Sequence, residues 1–120
     1  MKIMICESEE VLLMAIEFRL RKQGYEVVIC KKDMDLGHAL VSEKPDVVIM
    51  DLDSGSQPGL VQLGTIKSIH PASGTLMLVD PDKEEQIAEA FDKGLHDFIS
   101  KPFKPAELLI RVQRIADSIV

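Results

Sequence analysis

A chain of 120 residues with 46% apolar and 28% charged side chains is the size of one domain. It buries roughly two thirds of the surface its unfolded form exposes, so it needs no covalent staples and is no disordered tail. Its formal charge of −6 is the wrong sign for displacing counterions from phosphates, which excludes direct nucleic-acid binding by this domain.

Along the chain, Lys2 to Cys6 reads as a first strand with Glu7 at its carboxyl end. Glu7 interrupts this apolar start too early for a secretory signal, and every other apolar run falls far short of the ~20 residues of a membrane helix. The expected location is therefore the cytoplasm, with no membrane partner. Ser8 is placed to cap a first helix that carries Glu9 and Glu10 in its first turn, buries Val11, Met14, Ala15 and Phe18, and stops at Gly24. Glu26 to Cys30 is a second strand, followed by a weaker helix from about Asp33 to Glu43 that Pro45 closes.

Val47 to Asp53 holds a short apolar run without polar alternation, as expected of a strand buried on both faces of a parallel sheet. Beyond the Ser/Gly/Pro-rich segment from Ser54 to Gly59, Leu60, Leu63 and Ile66 suggest a third helix that ends before Pro71, weakened by Gly64. Thr75 to Val79 is a fourth strand. Asp82 and Glu85 form a capping box for a fourth helix, which Gly94 ends. Asp97 to Ser100 is a short fifth strand. Pro105 suits the first position of a last helix whose stripe is Leu108, Val112, Ile115, Ala116 and Ile119. Strands and helices alternate strictly, which predicts an α/β fold: one five-stranded parallel sheet, doubly wound, with helices on both faces and a single domain over residues 1–120.

Cys6 and Cys30 have no metal-ligand spacing and read as small core residues, as do Met4, Met14, Met34, Met50 and Met77 as core filler. His38, His70 and His96 are scattered and are expected to face solvent. The chemistry concentrates elsewhere. In a parallel sheet Glu7, Asp51, Val79 and Lys101 fall at the same edge, with Asp53 two residues past Asp51. Carboxylates about 4 Å apart repel by about 4 kcal/mol per pair at an effective dielectric near 20, so such a site holds a cation or keeps a proton. All-oxygen ligands favour Mg²⁺, Mn²⁺ or Ca²⁺. A carboxylate, a divalent ion and a lysine are what phosphoryl acceptance by Asp51 requires.

These residues carry a family resemblance. Lys2-Ile3-Met4-Ile5-Cys6-Glu7, Gly24-Tyr25-Glu26-Val27, Lys44-Pro45-Asp46 leading into Val47-Val48-Ile49-Met50-Asp51-Leu52, Asp97-Phe98-Ile99 and Lys101-Pro102-Phe103 together resemble the receiver domain of two-component response regulators. The resemblance implies a flavodoxin-like sheet of order 2-1-3-4-5. It makes Asp51 the phosphoacceptor, Glu7, Asp51 and the backbone at Asp53 the Mg²⁺ ligands, Lys101 the phosphoryl contact, and Phe98 an aromatic switch. It also implies a cis peptide before Pro102, a sensor histidine kinase or phosphotransfer protein as partner, signalling through the face of the fourth helix, fifth strand and fifth helix, and no enzymatic activity beyond self-phosphorylation and self-dephosphorylation. Asp92, Asp97 and Arg111 match charged positions through which one subfamily pairs as a homodimer.

Three departures stand against that pattern. Ser8 replaces a second acid, which predicts weak Mg²⁺ binding; Val79 replaces the Thr or Ser whose hydroxyl bonds the phosphoryl group; and Asp80 puts a negative charge where a small residue is usual. A hydrogen bond to a charged group contributes roughly 1.5–3 kcal/mol, out of the ~5.5 kcal/mol that drives a two-state switch from 1:99 to 99:1. The alternative is therefore a pseudo-receiver that acts as an interaction module without phosphorylation. A further alternative is a haloacid-dehalogenase-like phosphatase, suggested by Asp51-Leu52-Asp53, although its later acidic motif is not evident.

Overall fold

The structure, a computed structural model, describes residues 1–31, 35–52 and 58–119. The elements are β1 (Lys2–Cys6), α1 (Glu10–Lys22), β2 (Glu26–Ile29), α2 (Leu36–Glu43), β3 (Val47–Asp51), α3 (Gly59–Ile69), β4 (Gly74–Val79), a 3-10 helix (Pro81–Gln86) running into α4 (Ile87–Asp92), β5 (Asp97–Ser100) and α5 (Pro105–Ile119). All strand pairs are parallel and the order is β2-β1-β3-β4-β5, the flavodoxin-like arrangement expected. Among the described residues, no helix is long and apolar enough to cross a membrane.

The central strands are apolar on both faces because both faces are covered. Met4, Cys6, Val48, Met50, Met77 and Val79 pack under α2, α3 and α4, while Ile3, Ile5, Val47, Ile49, Leu76 and Leu78 pack under α1 and α5. The winding reverses between β1 and β3, since β2 lies outside β1 and β4 and β5 lie beyond β3. Loops leaving adjacent strands diverge at such a point, and the crevice between them is where open α/β sheets place ligands.

Local signals set most boundaries. Gly24 and Gly94 stop their helices with φ of +93° and +98°, the left-handed region that costs a glycine nothing. Asp35 caps α2 by accepting from the N–H groups of Gly37 and His38, so that helix starts later than the expected Asp33, which lies with Met34 outside the described residues.

Three expectations are corrected. In α1, Val11, Met14 and Phe18 are 78%, 63% and 63% exposed and Ala15 is exposed too; the buried residues are Ile16 and Leu20, flanked by Leu12 and Leu13. The helix carries two apolar stripes, and the sheet takes the other one. Met14 is therefore surface, while Met4, Met50 and Met77 are core. Second, Ser8 does not cap α1: Glu7 Oε1 accepts from the N–H groups of Ser8 and Glu9 at 2.9 and 3.0 Å. Third, the fourth helix opens at Pro81, with Asp80 before it, as a 3-10 turn without a side-chain cap, and not as a capping box on Asp82. Proline's fixed φ and missing N–H suit the first helical position, one residue ahead of the box.

Candidate functional site

At the crevice between β1 and β3 stand two acids from adjacent strands. Glu7 follows β1 and Asp51 ends β3; they are 7% and 4% exposed, burial that carboxylates reach only with partners. Lys101, which follows β5, supplies the cation. Its Nζ makes a short ion pair with Asp51 Oδ2 and lies 3.6 Å from Glu7 Oε2. The peptide between Lys101 and Pro102 is cis, as the resemblance implies, and Lys101 N–H donates to Val79 O at 2.8 Å. Three side chains separated by 44 and 50 residues of sequence thus meet because their strands run parallel and end together.

The charges do not balance within this trio, which keeps one net negative charge when both acids are ionised. Burial pushes the Glu7 carboxyl above its ordinary value, and neighbouring Asp51 adds to that push against the opposing pull of the Glu9 N–H and Lys101. For Lys101, burial opposes the charge, but Asp51, Glu7 and Asp80 outweigh it and hold the ammonium above the ordinary lysine range. Glu7 Oε2 is buried and accepts no hydrogen bond among the described residues. A buried carboxylate oxygen with unused acceptor capacity is costly unless an ion or a ligand group completes it.

Glu7 and Asp51 therefore fit a hard divalent cation, being carboxylate oxygen donors facing one crevice, with Glu7 Oε2 accepting no hydrogen bond among the described residues. The third expected ligand, Asp53, lies outside the described residues. Ser8, where a second acid was the alternative, is exposed and contributes its backbone N–H to Glu7. Among the described residues no cluster of three His, Cys, Asp or Glu groups forms a metal cage.

Val79 ends β4 beside this site with its side chain wholly buried in the core under α2, α3 and α4, so no hydroxyl is offered from that strand tip. Asp80, next in sequence, acts electrostatically on Lys101. Phe98 is half-buried on β5 and packs edge-on against Phe91, centroids 6.1 Å apart, so it belongs to the rim of the core and not to its centre. Asp97 and Arg111, two of the charged positions noted for pairing, hold each other at 3.0 and 3.1 Å within the chain.

One positioning residue was not singled out from sequence. A Cβ on Gly59 would lie 2.7 Å from Leu52 Cα and 2.9 Å from Asp51 O, and Gly59 N–H donates to Leu52 O at 2.7 Å. The first turn of α3 therefore presses against the backbone that carries Asp51. The only sequence signal was the glycine's place after Pro58, which does not reveal a close approach.

The sequence matches the family model of the response regulator receiver domain over residues 3–113. Among solved structures, a response regulator receiver domain protein from Clostridium thermocellum superposes with a TM-score of 0.89 at 24% identity, covering 98% of this chain and 94% of that one. The receiver domain of NtrX from Brucella abortus gives 0.86 at 25% identity, covering 97% and 98%. Longer NtrX from the same organism gives 0.85 at 25% identity, and this chain spans 27% of its length.

Proposed function

Because the chain belongs to the response regulator receiver domain family, we propose that residues 1–120 act as one receiver domain of two-component signalling in which Asp51 accepts a phosphoryl group. The observation that carries this reading is the convergence of Asp51, Glu7 and Lys101 on one crevice, with more negative charge than the lysine neutralises. An Asp51 oxygen attacks phosphorus, the bond from phosphorus to the donor's nitrogen or oxygen breaks, and the leaving group keeps that electron pair and takes a proton. Lys101, already on Asp51, follows the new charge outward as a point donor to the phosphoryl oxygens. Glu7 holds the start of α1 through one oxygen and leaves the other toward the crevice. Glu7 and Asp51 would hold Mg²⁺, with the backbone at Asp53 as third ligand, and the bound ion would neutralise phosphoryl charge; Ser8 in place of an acid makes that binding weak.

The phosphodonor is a histidine kinase or phosphotransfer protein. Val11, Met14 and Phe18, apolar and exposed on the helix that starts at the pocket, support docking of such a partner. Output runs through the face of α4, β5 and α5, where Phe98 and the Asp97–Arg111 pair lie, and includes homodimer formation. The domain works in the cytoplasm. Intact mass after acetyl phosphate and Mg²⁺ tests the acceptor: wild type gains one phosphoryl group and Asp51→Asn gains none. Turnover of a generic phosphomonoester beyond one equivalent would point instead to a phosphatase.

A second reading has its own observation. Lys101 already satisfies Asp51, Val79 offers no hydroxyl, and Asp80 repels an incoming anion, which together favour an interaction module that ignores phosphorylation. Val79→Thr separates the two. In a phosphorylated receiver it lengthens the lifetime of the acyl phosphate and strengthens any beryllofluoride-induced dimer seen by light scattering, and in an interaction module it changes neither.

A further inference from the structure

Cys6 ends β1, and Cys30 stands one residue beyond β2. The parallel register that pairs Lys2 with Glu26 and Ile5 with Ile29 continues one step further, because Cys30 N–H donates to Ile5 O at 3.0 Å. The two cysteines are therefore lateral neighbours, and strand alternation turns both toward the face covered by α2, α3 and α4, where they are buried in one cluster. Adjacent strands lie about 4.8 Å apart, within the roughly 4.4–6.8 Å of Cα separation that a disulfide spans.

We propose that Cys6 and Cys30 are a peroxide-sensitive dithiol that closes into a disulfide joining β1 to β2 beside the acid–lysine pocket. This does not depend on phosphoryl acceptance by Asp51. Since β2 is the outermost strand, Cys30 is reached by opening one sheet edge and not the whole core. The neighbouring Cys6 thiol also holds the Cys30 thiol below its ordinary pKa against the effect of burial, and the thiolate is the form that peroxide oxidises. The Cys30 thiolate attacks one peroxide oxygen and the O–O bond breaks. Sulfur becomes a sulfenic acid, and the departing hydroxide takes up the thiol proton as water. Cys6 sulfur then attacks Cys30 sulfur; the S–S bond forms, the S–O bond breaks, and the hydroxyl leaves with the Cys6 proton as a second water. Two electrons pass from the thiols to the peroxide, and a small dithiol reductant returns them. The new bond restrains the residue directly before Glu7, so the modification sits next to the acid that holds both the pocket and the start of α1.

The test treats the folded chain with hydrogen peroxide at neutral pH, then alkylates it in guanidinium and reads intact mass and a peptide map. The chain has two cysteines, so the assignment is unambiguous. The expected product takes up no alkyl group, has lost two hydrogens apart from any methionine oxygenation, yields a Cys6 peptide joined to a Cys30 peptide, and regains both alkylation sites after dithiothreitol. Exposed Met14 serves as internal dosimeter. Cys30→Ser is expected to form no intrachain link and to leave Cys6 alkylatable at the same dose. Both thiols remaining free in wild type when Met14 is fully oxidised would overturn the proposal. So would oxygen addition to the cysteines without linkage, or linkage found solely between chains.

Discussion

Where the strands begin, polar groups close on one another: Lys2 N–H donates to Asp46 Oδ2 at 2.8 Å, Ser73 Oγ to Pro45 O at 2.6 Å, and Gly74 N–H to Asp46 O at 2.8 Å. Thr75 N–H donates to His96 Nδ1 at 3.2 Å, so this histidine, exposed as expected, also takes up a backbone donor of β4. Where the same strands end, two buried carboxylates share one ammonium and Glu7 Oε2 accepts no hydrogen bond among the described residues. At the first edge, among the described residues, the buried side-chain atom left without a hydrogen bond is Arg111 Nε, on a side chain that Asp97 already neutralises. The second keeps net negative charge and an unused acceptor on Glu7, which the proposed phosphoryl transfer with its counter-ion would engage. Buried polar groups that satisfy each other stabilise a fold, whereas a buried site left incomplete is tolerated where something binds.

The largest expected break in this contrast is Lys101→Met. It leaves Glu7 and Asp51 opposed with no cation, and removing one partner of such a cluster costs about 3 kcal/mol, the low end for buried pairs because Lys101 keeps some contact with water. Urea unfolding at pH 7 measures it. Ser73→Ala at the opposite edge strands one carbonyl and is expected to cost about 1 kcal/mol in the same assay, without altering phosphoryl incorporation. The smallest effect sharpens the comparison through pH. Glu7 is raised in the folded state, so the folded chain still holds its proton where the unfolded chain has released it. Stability from this group is fully present below the ordinary glutamate range and is lost as pH rises through the raised folded value. Glu7→Gln should remove that downward slope, whereas Ser73→Ala leaves it in place.

Much of this was legible in the residues. Strict alternation of short apolar runs with amphipathic segments called for a parallel sheet, and parallel strands oblige Glu7, Asp51 and Lys101 to share an edge. The face that α1 buries was not legible, because its two apolar stripes, Leu12-Leu13-Ile16-Leu20 and Val11-Met14-Ala15-Phe18, satisfy helical periodicity equally well. Nor was the entry to that helix, where Ser8 makes no side-chain cap and Glu7 Oε1 instead accepts from the N–H groups of Ser8 and Glu9 just ahead of it.

Sequence alone determined the order and type of the elements, the acids and lysine at the strand ends, and the missing hydroxyl at Val79. Those depend on periodicity and turn residues, which act over a few positions. Tertiary structure decided which stripe of α1 meets the sheet, that Gly59 must lie against the backbone of Asp51 and Leu52, and that Cys6 and Cys30 stand side by side. Each of these depends on the distance between separate elements of the fold, and only packing sets that distance.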